Sequence, residues 1–260
     1  MTFPHIDPVA LHLGPLSVRW YGLMYLAGFL CGWIFIRGHV RREHLPLSSE
    51  DISELLFLCV LGVVAGGRLG YVLFYHPSFY VTHPLRIFSI WEGGMSFHGG
   101  LIGVVGSVVF FCRRRLLPMG KMADMLVMAA CFGLCFGRMG NFINGELWGR
   151  VTDVPWGMVF PFAGPDPRHP SQLYQAVLEG PVLFSVLWVL YRRRLADWSV
   201  FFSFVTGYAF FRFGVEFVRQ PDQHLGLLTF GWSMGQWLSL PMAVVGLVAL
   251  IILNRRRTLP

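Results

Sequence analysis

The stretch Met122-Ala123-Asp124-Met125-Leu126-Val127-Met128-Ala129-Ala130-Cys131-Phe132-Gly133-Leu134-Cys135-Phe136 reads as an apolar helix long enough to enter a bilayer. It runs directly into Gly137-Arg138-Met139-Gly140-Asn141-Phe142-Ile143-Asn144-Gly145-Glu146-Leu147-Trp148-Gly149. Those thirteen residues hold one Arg, two Asn, one Glu and four Gly. A cation in hydrocarbon costs roughly 3 kcal/mol on insertion scales and is retained only where partners or water offset that cost. Fold maintenance does not require it, so Arg138 reads as functional.

Composition extends the membrane reading to the whole chain. Of its 260 residues 55% are hydrophobic and 13% charged, and the apolar ones are gathered into long runs rather than spread at amphipathic spacing. Seven spans are expected, at about 18–36, 55–75, 97–112, 122–136, 176–191, 199–218 and 236–253. Several are shorter than the roughly 20 residues of a full crossing, so their ends must extend into polar flanks or the membrane must thin. Residues 1–17 lack the basic start and apolar centre of a cleavable signal, which leaves targeting to the first span. The expected fold is all-α and integral to the membrane, with about seven transmembrane helices and a small periplasmic head. It forms one polytopic domain, 1–260, with outer loops at 77–96, 150–175 and 219–233.

The basic residues set the expected orientation. Thirteen of the 21, among them Arg113 to Arg115, Arg192 to Arg194 and Arg255 to Arg257, fall on one side of the spans, and five fall on the other. By the positive-inside rule the C-terminus is cytoplasmic and, with an odd number of spans, the N-terminus is outside. The net charge of +7 is thereby an orientation signal and needs no nucleic acid to explain it. The five cysteines all lie in or at the edge of spans, with no disulfide framework and no zinc-type pair, and the nine His show no paired ligand spacing. No metal and no soluble cofactor are expected.

Several polar residues stand out inside this apolar frame. Tyr21, in Arg19-Trp20-Tyr21-Gly22, suits an aromatic belt at the outer interface. Gly62, Gly66 and Gly70 give the second span a smooth face for a close helix neighbour, and Gly99, Gly103 and Gly106 do the same in the third. Arg68 suits either a partner for a buried acid or a lipid-headgroup contact. His98 begins the third span, where a single His is more often a capping or belt residue than a catalyst; its Gly-rich surroundings would let a substrate approach. Tyr208, Arg212, Glu216 and Arg219 are spaced four, four and three apart, on one helical face. Arg138 with Glu146 is a further expected ion pair, leaving Arg68 as surplus positive charge. At 1.5 Å per residue, Arg68 and Arg212 lie about 20 Å and Arg138 about 24 Å above the cytoplasmic ends of their spans. Tyr21, His98, Asn141 and Glu146 reach that level from the outer face, so the candidates converge on the outer leaflet.

The run from Gly137 to Gly149 resembles the signature of the prolipoprotein diacylglyceryl transferases: Gly-Arg, any residue, Gly or Ala, Asn-Phe, apolar, Asn, any, Glu, any two, Gly. Further similarity lies in Trp20-Tyr21-Gly22, in Phe97-His98-Gly99-Gly100-Leu101-Ile102-Gly103, in Arg168-His169-Pro170-Ser171-Gln172-Leu173-Tyr174 and in Arg212, Glu216 and Arg219-Gln220-Pro221-Asp222. The resemblance implies an enzyme of the bacterial inner membrane that transfers diacylglyceryl from phosphatidylglycerol to the lipobox cysteine of prolipoprotein signal peptides. Its partners would be those two substrates and the surrounding membrane lipids. It also makes Tyr21 a site candidate. The implied base is His98, with Tyr21 or water as alternatives; Arg138 and Arg212 would take the phosphate. Asn141 and Tyr208 would orient headgroup oxygens, Glu146 and Glu216 would fix the arginines, and Gly149 would allow a close backbone turn. A transporter or binding protein for an anionic lipid is the alternative from another class; it would place its charges nearer the midplane and show internal repeats.

Overall fold

The computed structural model describes residues 1–4, 6–14, 16–221 and 226–258. Asp222, the end of one of the motifs above, lies outside the described residues. The apolar runs fold as helices: α1 (Trp20–Arg42), α2 (Ser49–Phe74), a short α3 (Pro77–Thr82), α4 (Phe97–Arg114) and α5 (Met119–Ile143). Then come α6 (Ser171–Val177), α7 (Leu183–Arg192), α8 (Ser199–Val215) and α9 (Met234–Thr258). A small antiparallel hairpin, β1 (Val9–Leu13) and β2 (Leu16–Arg19), precedes α1. From the sequence no structure was expected there.

The chain is an all-α membrane protein. Among the described residues, five helices are long and apolar enough to cross a membrane: Trp20–Arg42, Ser49–Phe74, Met119–Ile143, the α6–α7 element Ser171–Arg192 and Met234–Arg255. The third and sixth expected spans are α4 and α8, of 18 and 17 residues, which fall short of that measure. In α4 the apolar run is trimmed by His98 in the first turn and by Arg113 and Arg114 in the last.

The helices group into two compact units, Met1–Phe35 with Ala123–Pro260, and Ile36–Met122. The second is built on the pairing of α2 with α4. Ser48 and Asp51 start α2 with reciprocal side-chain to backbone hydrogen bonds. Gly62, Gly66 and Gly70 then meet Gly99 and Gly103, so closely that a Cβ at Gly66 would strike the Gly99 carbonyl oxygen and one at Gly103 the Gly62 carbonyl oxygen. The expected small-residue face is thus in contact with its partner, except that Gly106 meets nothing within 4 Å. Asp51 and Glu54 on α2 pair with Arg114 and Arg115 at the other end of the same two helices.

In the same unit the expectation for Arg68 is corrected. Among the described residues its guanidinium meets backbone carbonyls and no acid. Nε donates to the Ile87 carbonyl (2.8 Å), Nη2 to Arg86 (2.6 Å) and Nη1 to Gly93 and Gly94 (2.6 and 3.2 Å). The Tyr80 ring covers the group at 5.4 Å. Arg68 is buried and ties the loop after α3 to α2, its charge met by carbonyl dipoles.

In the first unit, α5, α7 and α8 share an apolar core of Met128, Cys131, Leu183, Leu187 and Val200. Cys131 belongs to that core and Cys135 packs against Gly180, which gives both thiols the packing role expected of them. Helix α8 has no cap of its own at Trp198; Asp124, from α5, accepts from the Trp198 and Phe201 amides at 3.0 and 2.7 Å and does that work from a neighbouring helix. Between α6 and α7 the chain makes a π-turn, Leu178–Val182, with Pro181 inside it and Gly180 off helical geometry. Proline has no amide to donate, and the wider turn accommodates the missing bond.

Candidate active site

The signature folds as the last turns of α5 and the bend after it. Arg138 and Asn141 lie on α5; Gly145 and Leu147 then take positive φ (65° and 58°) to turn the chain. Inside that bend the Glu146 carboxylate accepts from Asn141 Nδ2 at 2.8 Å and Asn144 Nδ2 at 3.3 Å. Glu146 therefore holds the two asparagines, and the expected Arg138–Glu146 pair is not formed. The Tyr21 ring packs on Gly140, where a Cβ would lie 2.9 Å from its Cδ2, and its hydroxyl meets Tyr25 at 3.2 Å. From that position Tyr21 faces Asn141 and Glu146.

Arg138 instead pairs with Glu179, Nε to Oε2 at 3.5 Å. Glu179 is fully buried and sits in the π-turn, packed beside Arg138 by the contact of Gly180 with Cys135. Tyr208 faces Arg138, Arg212 and Glu179 from α8. One turn on, Arg212 Nη2 and Arg219 Nη1 share Glu216 Oε1, at 2.6 and 3.2 Å, and Ser233 Oγ donates to Oε2 at 2.7 Å. The expected one-faced ladder is thus real for Arg212, Glu216 and Arg219, although α8 ends at Val215, before the expected 218; the Arg219 amide still donates to the Val215 carbonyl and carries the helical path on. Gly235 permits this arrangement, because a Cβ there would lie 2.7 Å from the Glu216 carboxyl carbon. Arg212 Nη1 is buried with no hydrogen-bond partner among the described residues.

Gly149 has a different reason from the one expected. Its φ is not positive; it lies where three backbones meet, its amide donating to the His169 carbonyl at 2.8 Å. A Cβ would lie 2.5 Å from the Val218 carbonyl oxygen and 2.6 Å from His169 Cβ. With Arg150 donating to Val218 and His169 donating to Arg150, this crossing joins the end of the signature to the segment after α8. Residues 150–170 add further pairings, Val151 and Met158 with Arg168. His169 is held by the Tyr174 hydroxyl (3.2 Å), and burial lowers its pKa from the ordinary histidine value.

Eight of the nine candidate residues, Tyr21, Arg138, Asn141, Glu146, Gly149, Tyr208, Arg212 and Glu216, thus belong to the first unit. His98 belongs to the second. It lies exposed in the first turn of α4, its ring against Phe97 at 5.6 Å, in a helix start capped by Ser96 accepting from the Gly99 amide at 3.2 Å. Sequence reasoning missed Glu179 and Ser233, and met Gln172 only as part of a motif, without a role. An acid inside an apolar span is the signal that would have found Glu179.

Arginines held in place by buried carboxylates, on helices that cross or border an apolar layer, define a multi-pass membrane protein with a site suited to an anionic group. Residues 8–252 match the model of the family described as prolipoprotein diacylglyceryl transferase. The chain belongs to that family. It is 52% identical over 260 residues to the phosphatidylglycerol–prolipoprotein diacylglyceryl transferase of Geobacter sulfurreducens, covering 100% of both chains. The proteins of the same name from Cupriavidus pinatubonensis and Bordetella parapertussis are 52% and 53% identical, over 99% and 95% of this chain and 95% of each relative.

Proposed function

We propose that this protein transfers the diacylglyceryl group of phosphatidylglycerol to the lipobox cysteine thiol of prolipoprotein signal peptides. The observation that carries the reading is the buried arginine–carboxylate cluster, in a chain that matches its named relatives end to end. The thiolate attacks the glycerol carbon that bears the phosphate, a carbon–sulfur bond forms, and the carbon–oxygen bond breaks with its electron pair leaving on glycerol phosphate. The thiol proton passes to a base. The transporter alternative is not favoured, since the relatives are named as transferases.

The roles follow from the chemistry of each group. A free thiol with a pKa of about 8.5 is only a few per cent ionised at neutral pH, so a base tuned near neutrality helps; His98 takes that role, in reach of solvent at the start of α4. Arg138 and Arg212 take the phosphate as charge develops on it, each with one edge already fixed by Glu179 or Glu216. Asn141 and Tyr208 orient headgroup oxygens, and Tyr21 supports Asn141. Glu146 keeps the asparagines in place, and Gly149 lets the signature's end cross beneath its neighbours. The enzyme is a single polytopic domain of the bacterial inner membrane. Its N-terminus is periplasmic, its C-terminus cytoplasmic, and its site faces the outer leaflet. No soluble cofactor is needed, because the activated group already resides on the lipid.

The test is mass spectrometry of a lipobox peptide incubated with the purified protein and phosphatidylglycerol in detergent, with a Cys→Ser peptide as control. A diacylglyceryl mass increase on the Cys peptide alone, with glycerol phosphate released, is expected. No adduct from folded protein that binds the lipid would sink the transferase reading.

A further inference from the structure

Three side chains on α6 and its π-turn fall on one line: Gln172, Gln175 and Glu179, three and four residues apart. All three are fully buried. At the upper end Gln172 Nε2 donates to the Glu146 carbonyl (2.5 Å), and at the lower end Glu179 Oε2 meets Arg138. The line therefore runs alongside the signature, from Glu146 to Arg138. Four of its polar atoms have no hydrogen-bond partner among the described residues: Gln172 Oε1, both amide atoms of Gln175 and Glu179 Oε1. Arg212 Nη1, facing Glu179, is a fifth.

Buried amides without partners are unfavourable, and a leucine or methionine would fill the same space without that cost. A structural role for the Gln175 amide is therefore unpersuasive, since it makes no hydrogen bond among the described residues. What the line offers is a sequence of chemistries: a guanidinium edge at one end, then carboxylate and amide acceptors with one amide donor. A phosphate only accepts hydrogen bonds and an ammonium only donates them. A hydroxyl does both, as Gln175 does, and can also donate to Gln172 Oε1 and Glu179 Oε1. Seven residues of helix separate the ends by about 10 Å, a span comparable to a small diol with its phosphate.

We infer that the buried face formed by Gln172, Gln175 and Glu179 recognises the hydroxyls of a polyol phosphate headgroup, next to the arginines that take the phosphate. The inference rests on the transferase reading and names what selects the lipid donor. Sites built to bond a hydroxyl discriminate strongly against an analogue that lacks it, because their own buried groups are left unpaired.

The experiment compares two donors with the same acyl chains, phosphatidylglycerol and phosphatidylpropanol, whose headgroup lacks both hydroxyls. Full-length wild type, Gln175→Leu and Gln175→Met are assayed with one lipobox peptide in detergent. Wild type is expected to favour phosphatidylglycerol by about tenfold or more in kcat/KM, and in both variants that ratio should fall towards one. Their thermal unfolding midpoints should equal or exceed that of wild type, an outcome a structural role would not give. Equal use of the two donors by wild type, or a ratio preserved in the variants, would overturn the inference. Transfer from neither lipid would count against the transferase reading itself. The hydroxyl site is then judged without turnover: glycerol phosphate should raise the unfolding midpoint of wild type more than propyl phosphate does, with the difference lost in Gln175→Met, and equal shifts would refute it.

Discussion

Consider Glu216→Gln. The wild-type carboxylate takes Arg212 and Arg219 on one oxygen at 2.6 and 3.2 Å and Ser233 on the other at 2.7 Å, with no exposed surface. Glutamine keeps the shape and the count of bonds, because its oxygen can face the arginines and its amide can donate to the Ser233 hydroxyl. What it removes is the charge. Hydrogen bonds to charged groups contribute about 1.5–3 kcal/mol against about 0.5–1.5 for neutral ones, so two weakened bonds cost about 2 kcal/mol at least. Leaving buried cations without their counter-charge sets an upper bound of about 3–5 kcal/mol. At roughly 2–4 °C per kcal/mol for a chain of this size, the unfolding midpoint should fall by about 4–20 °C. Thermal unfolding in detergent reads this directly. Ser233→Ala should cost only about 1 kcal/mol, and Arg219→Met added to Glu216→Gln should recover part of the loss by removing one cation. A Glu216→Gln midpoint within 1 °C or so of wild type, with no coupling to Arg219→Met, would show that Glu216 does not neutralise this pair.

Four further outcomes are expected. Gly180→Ala drives a methyl against Cys135 Cβ at 2.6 Å and should destabilise by about 1–3 kcal/mol, with Cys135→Gly relieving part of it in thermal unfolding. Asp124→Ala should cost about 0.5–2 kcal/mol by uncapping α8, and Asp124→Asn, whose single oxygen can serve only one of the two amides, should recover part of that loss and no more. Arg68→Lys cannot reproduce a planar fork on four carbonyls, so amide exchange between residues 84 and 94 should accelerate while α2 itself stays protected. Burial lowers the His169 pKa, so as pH falls below about 6.5 the unfolded chain takes up that proton before the folded one does. Stability should decline through that window, and His169→Gln should flatten the profile of midpoint against pH.

Much of the fold could be read from the apolar runs, since each expected span falls on a helix, and the glycine faces of α2 and α4 meet as their spacing implied. The errors concern which polar group meets which. Arg138 was matched with Glu146, eight residues away, because the acid that it meets lies 41 residues on, inside a run that reads as membrane span. Helical periodicity assumes 3.6 residues per turn, and the π-turn that presents Glu179 breaks that assumption where it matters. Arg68 was left between a buried acid and a lipid headgroup, yet carbonyls of a turn meet it; only the folded path of residues 86–94 brings them together. Glu216 and its arginines were legible because all three follow one helical path, Arg212 on α8 and Glu216 and Arg219 just past its end, so local spacing alone placed them.

The glycine contact between α2 and α4 also sets how this protein can change over time. At Gly66, Gly99 and Gly103 the atoms that a new methyl would strike are backbone, whereas at Gly67 the obstacle is the end of the Met95 side chain and at Gly94 the Tyr71 ring. A clash with a side chain can be undone by trimming that side chain elsewhere in the sequence. A clash with backbone has no such remedy. Gly67 should therefore yield second-site suppressors in a genetic selection, whereas Gly94, whose φ of 76° strains any side chain, should not. The three backbone-facing glycines should return only true revertants.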